Sequence, residues 1–122
     1  MKIRKLFDLP PGDKNPRNSE GSFLRLKDGR IVFAYSRYSG TSSDDGAYCE
    51  IAAIYSSDNG ETFSEPKILV RPDKSRGETN CMSVSLLELP NGDAGLFYLV
   101  KHTGMWSEMI LRRSGDGFDT LG

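Results

Sequence analysis

The second half of this chain repeats the design of the first. Ser22-Phe23-Leu24-Arg25-Leu26-Lys27-Asp28-Gly29 aligns with Ser85-Leu86-Leu87-Glu88-Leu89-Pro90-Asn91-Gly92 at an offset of 63, the step from Ser22 to Ser85. The match runs on from Ile31-Val32-Phe33-Ala34-Tyr35 into Ala94-Gly95-Leu96-Phe97-Tyr98, and Ser56-Ser57-Asp58 returns as Ser114-Gly115-Asp116, 58 residues later. A repeat that includes turn residues as well as apolar ones means one supersecondary unit used twice.

The units read as β-structure. Phe23–Leu26, Ile31–Tyr35, Ile51–Tyr55 and Pro66–Val70 are strand-length apolar runs, separated by turn residues. With 13 glycines and 6 prolines, the chain has the turns such short strands need. Lys27-Asp28-Gly29-Arg30 reads as a tight two-residue hairpin, and Asp58-Asn59-Gly60 as the same between the third and fourth runs. Two units of roughly sixty residues, each of four antiparallel strands, are the pattern of β-propeller blades. The expected division is a lead-in over 1–20, whose Pro10, Pro11 and Pro16 argue against a packed element, a first blade over 21–75, and a second, truncated blade over 76–122. An eight-stranded β-sandwich fits the same length and turn spacing.

A blade cannot bury both faces of its sheet alone, and closed propellers carry about 4 to 8 blades. The expectation is therefore self-association, with three chains supplying six blades as the specific form.

Charge removes other classes. Sixteen Lys and Arg stand against seventeen Asp and Glu, a formal net charge of −1, with no basic cluster to grip nucleic acid or an anionic membrane. No apolar run approaches the ~18 to 20 residues of a membrane-spanning helix, and the start Met1-Lys2-Ile3-Arg4-Lys5 meets Asp8-Leu9-Pro10-Pro11 before a signal-peptide core forms. The expected location is cytoplasmic. There, Cys49 and Cys81 read as small buried hydrophobes, not a disulfide. With His102 the only histidine, a zinc site is short of ligands, and no cofactor or metal is expected.

Ser56-Ser57-Asp58-Asn59-Gly60-Glu61-Thr62-Phe63 fits Ser-x-Asp-x-Gly-x-Thr-aromatic, and resembles the Asp-box, or BNR repeat, of sialidase-type propellers. Its logic is local: the Asp carboxylate accepts turn N–H groups, Gly takes a backbone shape closed to other residues, and the aromatic ring anchors the turn. Asp58 is thus a folding device and not a catalyst. The second copy, Ser114-Gly115-Asp116-Gly117-Phe118-Asp119-Thr120-Leu121, places Phe where the pattern has Gly and reads as a degenerate box.

Glu20 through Arg37, followed by this box, resembles the opening of BNR-type sialidases and related exo-acting glycosidases, covering roughly residues 17–121. The resemblance implies two blades of a sialidase-like six-bladed propeller. It implies a first-blade arginine that grips a substrate carboxylate, a second arginine after a Phe-Ala-x-x-Arg strand, and an Asp acting as general acid/base. Phe33-Ala34-Tyr35-Ser36-Arg37 matches the strand, so Arg37 is the second arginine. Arg17, in Pro16-Arg17-Asn18, approximates the first, although the family's Arg-Ile-Pro motif is absent. Asp44 and Asp45, in Ser39-Gly40-Thr41-Ser42-Ser43-Asp44-Asp45-Gly46, stand where the acid/base falls, with Asp44 preferred on loop spacing. The family's Tyr nucleophile, its partner Glu and the remaining arginines have no counterpart here, so the site is incomplete in the single chain.

Each of these residues has a plainer role. Arg37 can be a strand-end arginine, Asp44 and Asp45 solvated turn formers, His102 a rim residue, and Trp106 an inter-blade core residue or a sugar-stacking ring. Two functions remain: part of a sialidase-like exo-glycoside hydrolase acting on terminal sugars of glycans, or a non-catalytic carbohydrate-binding or assembly module.

Overall fold

The computed structural model describes residues 1–122. Seven strands follow one another: β1 (Arg17–Arg25), β2 (Ile31–Tyr38), β3 (Cys49–Ser56), β4 (Lys67–Val70), β5 (Glu78–Glu88), β6 (Ala94–His102) and β7 (Trp106–Ser114). They form two antiparallel sheets in sequential order, β1-β2-β3-β4 and β5-β6-β7. No helix is long and apolar enough to cross a membrane.

Alternation along β2 and β3 decides how the sheets meet. Val32, Ala34, Ile51 and Ala53 point to one side, where they join Cys81, Val84, Leu86, Leu96, Tyr98 and Val100 of the second sheet in one core. Burial of each large aliphatic side chain there contributes about 1.5–3 kcal/mol. The opposite face of the first sheet carries Tyr35, Ala52 and Ile54, backed by Phe33, Phe63 and Ile68. That face is covered by the segment before Arg17, contrary to its reading as an unpacked lead-in. Phe7 sets its ring 5.2 Å from Phe33 and 4.9 Å from Phe63, and Asn18 Nδ2 donates to the Leu9 carbonyl at 2.9 Å. The three prolines suppress regular structure there without preventing an aromatic anchor.

Other expectations shift in detail. Regular structure starts at Arg17, since Arg17–Ser19 pair with Ser36–Tyr38 before a bulge at Glu20. The first hairpin has a three-residue loop: Leu26 and Arg30 close it, with Gly29 in the left-handed region (φ 94°). Leu89 and Asp93 close the matching loop around Gly92 in the same way. The connection through Asp58-Asn59-Gly60 is not a tight hairpin, because β3 ends at Ser56 and β4 begins at Lys67. The second sheet has three strands, not four, but Gly122 exchanges backbone hydrogen bonds of 2.8 and 3.3 Å with Arg113. Ser64 holds the equivalent place in the first sheet, its N–H donating to the Tyr55 carbonyl at 2.7 Å.

The two Ser-x-Asp turns have one geometry. Ser56 Oγ donates to Asp58 at 2.8 Å and accepts from Gly60 N at 2.8 Å, while Thr62 N donates to Asp58 at 2.8 Å. In the second turn Ser114 Oγ donates to Asp116 at 2.7 Å, Phe118 N donates to Ser114 Oγ at 2.9 Å, and Thr120 N reaches Asp116 at 3.0 Å. Phe118 therefore holds Gly60's place, with φ 74° against 90°. Its side chain enters the inter-sheet core, where it is 3% exposed. Tyr55 Oη donates to the Gly117 carbonyl at 2.7 Å, fastening this turn to the first sheet.

Candidate functional site

Antiparallel order sorts the chain's chemistry between two ends. The Asp- and Asn-Gly turns, with both Ser-x-Asp turns, lie at one end. The other end, here the site end, gathers the start of β1, the 39–48 loop, the start of β5 and the β6–β7 hairpin. It holds Arg17, Asp44, Asp45, Asn80, Lys101, His102 and Trp106 together.

Arg17 is the centre of one cluster. Its guanidinium lies 4.6 Å over the Tyr38 ring and donates to Asp45 Oδ1 at 2.6 Å and to the Ser43 carbonyl at 3.1 Å. The hydrogen bond from Arg17 holds the Asp45 carboxyl below the usual carboxylate range, and the same bond raises Arg17. Burial pushes the Tyr38 phenol up. Asp44, one residue earlier, uses its backbone: its N–H reaches Ser42 Oγ at 3.2 Å and its carbonyl accepts from Ala47. Its carboxylate has no ion-pair partner and faces solvent.

Arg37 is not part of this group. Register pairs Arg17 with Tyr38 and Asn18 with Arg37, so the two arginines occupy opposite faces of the sheet. Arg37 bonds Glu50 Oε1 at 2.8 Å, its cross-strand partner, and Arg71 reaches the other Glu50 oxygen at 3.4 Å. Glu50 is 4% exposed, and a carboxylate so buried needs such partners. Arg37 also borders a cleft of about 360 Å³ beneath the Phe7–Pro10 segment, with Asn15, Asn18 and Tyr35.

Sequence reasoning missed the struts of the Asp44–Asp45 loop. Asn80 is fully buried and donates through Nδ2 to the Asp45 and Ala47 carbonyls at 3.2 and 2.7 Å, leaving Oδ1 without a partner. Lys101 Nζ donates to the Asp45 carbonyl at 2.8 Å. Asn80 had one sequence signal, a polar Glu78-Thr79-Asn80 opening on an otherwise apolar strand. Lys101 had none. Trp106 departs from its core reading: it is 53% exposed. Cys49 and Cys81 are buried and free, each pushed up to about 12 by burial. No group of three His, Cys, Asp and Glu side chains converges on a point that suits a metal ion.

Two solved structures share this architecture. The Hadza microbial sialidase Hz136 superposes with a TM-score of 0.71 at 14% identity, over 89% of this chain and 25% of that one. Zg3597, a family 117 glycoside hydrolase of the marine bacterium Zobellia galactanivorans, gives 0.72 at 18%, over 94% and 40%. The two sheets are propeller blades. Likeness at this identity carries the fold alone, that of propeller-type glycoside hydrolases. The chain spans a quarter and two fifths of the length of these two proteins. No family model and no curated protein matches the sequence.

Proposed function

We propose that this chain supplies two blades, and part of the active site, of a sialidase-like exo-glycoside hydrolase acting on terminal sugars of glycans. The observation that carries the reading is the arrangement around Arg17. A guanidinium is held over an aromatic ring by one carboxylate, Asp45, while the neighbouring carboxylate of Asp44 is left unpaired beside it. Arg17 presents charge for a sugar carboxylate, the bidentate partner of choice for a guanidinium. Asp45 stays ionised against Arg17 and positions it, which leaves Asp44 to protonate the leaving glycosidic oxygen. Arg37, on the far face, has the structural task of neutralising Glu50. The nucleophile and further arginines come from other blades, supplied by further chain or by self-association, with a ring of three chains the specific arrangement.

The test is hydrolysis of a fluorogenic sialoside by the protein, fractionated by size with light scattering. Turnover is expected in an assembled fraction, with Asp44→Asn lowering it about 100-fold or more, as loss of a general acid does. Undiminished turnover in Asp44→Asn overturns the assignment. Sugar binding without turnover in every fraction favours the second reading, a non-catalytic carbohydrate-binding module.

A further inference from the structure

The hairpin that joins β6 to β7 carries a feature that the Arg17 cluster does not use. His102 and Trp106 are its last register pair, and their rings stack with centroids 3.8 Å apart and planes 4° from parallel. The imidazole is fixed in turn. His102 is 8% exposed, and its Nε2 meets Glu108 Oε2 at 2.8 Å. Its Nδ1 is buried without a partner, so the ring is held by the stack and the carboxylate alone.

One face of the indole is therefore covered and its plane is set, while the residue remains about half exposed. A ring immobilised before contact loses little further freedom when a flat ligand settles on it. Glu108, two residues from Trp106 on the same strand, also borders a polar cleft of about 430 Å³ whose walls include Asp73, Arg76, Glu78 and Arg112. Glu108 keeps Oε1 free for a donor. An open aromatic face with a carboxylate fixed two residues along the strand is complementary to a pyranose, which has an apolar C–H face and a rim of hydroxyls.

We propose that Trp106 is a platform for a pyranose ring of a glycan, with His102 and Glu108 as the residues that position it. The proposal rests on the carbohydrate reading above but on none of its residues. Lys101, next to His102, bonds the Asp45 carbonyl, so the platform and the Asp44 loop are braced against each other. A nucleobase also stacks on indole, so adenosine is the competing ligand in the test.

Trp106 is the only tryptophan, so intrinsic fluorescence reports on this residue alone. Titration with lactose is expected to give a saturable change in emission, retained in Asp44→Asn. His102→Ala, which frees the indole, is expected to weaken binding roughly tenfold, and Glu108→Gln less. Calorimetry on Trp106→Ala, whose fold is checked by circular dichroism, should show no lactose heat. A linear, non-saturating response, or equal affinity for adenosine, overturns the proposal. Saturable binding without any turnover leaves the platform standing and sinks the hydrolase reading; turnover without a response at Trp106 does the reverse.

Discussion

Phe118 offers the sharpest test of how the second Ser-x-Asp turn joins the sheets. Two effects oppose each other at this residue. Its φ of 74° is left-handed, which costs a non-glycine residue about 1–2 kcal/mol. Its ring is 3% exposed in the inter-sheet core, and a buried phenylalanine removes about 150–250 Å² from water, or roughly 4–6 kcal/mol at 25 cal/mol per Å². Burial wins. Phe118→Ala keeps the strain and loses the ring, for a net loss of about 3–5 kcal/mol. Phe118→Gly loses the ring but recovers the strain, so it should lose only about 2–3 kcal/mol. Urea unfolding followed by circular dichroism resolves the order, since 2–3 kcal/mol lowers the midpoint by about 1–2 M for a domain of this size. Glycine falling below alanine, or either matching the parent, refutes the reasoning. Gly60 is the control: a Cβ there meets nothing closer than Ile31 Cδ1 at 3.9 Å, so Gly60→Ala costs only the φ strain, about 1 kcal/mol.

Gly21→Ala should be worse than its size suggests, because an added Cβ falls 2.4 Å from the Ala34 carbonyl and 2.5 Å from Phe33 Cζ; a loss of about 3 kcal/mol in chemical denaturation is expected, and a neutral result would mean the bulge at Glu20 is absent. Acid should loosen both Ser-x-Asp turns. Hydrogen bonds from Thr62 and Ser56 hold Asp58 at about 2, and those from Thr120 and Ser114 hold Asp116 lower still. Both native values lie below the unfolded value of about 4, so the stabilisation is complete above that pH and is lost as pH falls toward about 2. Thermal scans across that range should show an acid limb that Asp58→Asn flattens; an unchanged limb contradicts the linkage. Cys49 and Cys81, raised to about 12 by burial, should resist a thiol reagent at pH 8 in the native protein and react on unfolding, and rapid native labelling would show that the core opens.

The blade repeat was legible because its information is local: turn residues and apolar alternation fix hairpins without reference to the rest of the chain. The parity of Arg17 and Arg37 was not. Whether two residues on neighbouring strands share a face depends on register and on the bulge at Glu20, and nothing in the spelling of β1 marks either. Trp106 was misread for a related reason, since composition favours burying tryptophan while the register pairs it with His102 at the end of a hairpin. Phe118 broke the expected pattern by replacing glycine, yet the turn kept its hydrogen bonds because the inter-sheet core needed the ring more than the backbone resisted it. Phe7 was hidden among prolines, where no periodicity signals an anchor.

The edge of β5 has a last consequence. This strand ends its sheet, and its N–H groups at Ser83 and Leu86 donate at 3.1 Å to the hydroxyls of Ser36 and Ser22 in the first sheet. Amides engaged in this way cannot template a foreign strand. The inner edge of the second sheet is thus capped by the hydroxyls of its neighbour, so the contact that joins the two sheets also guards this stretch against a foreign strand.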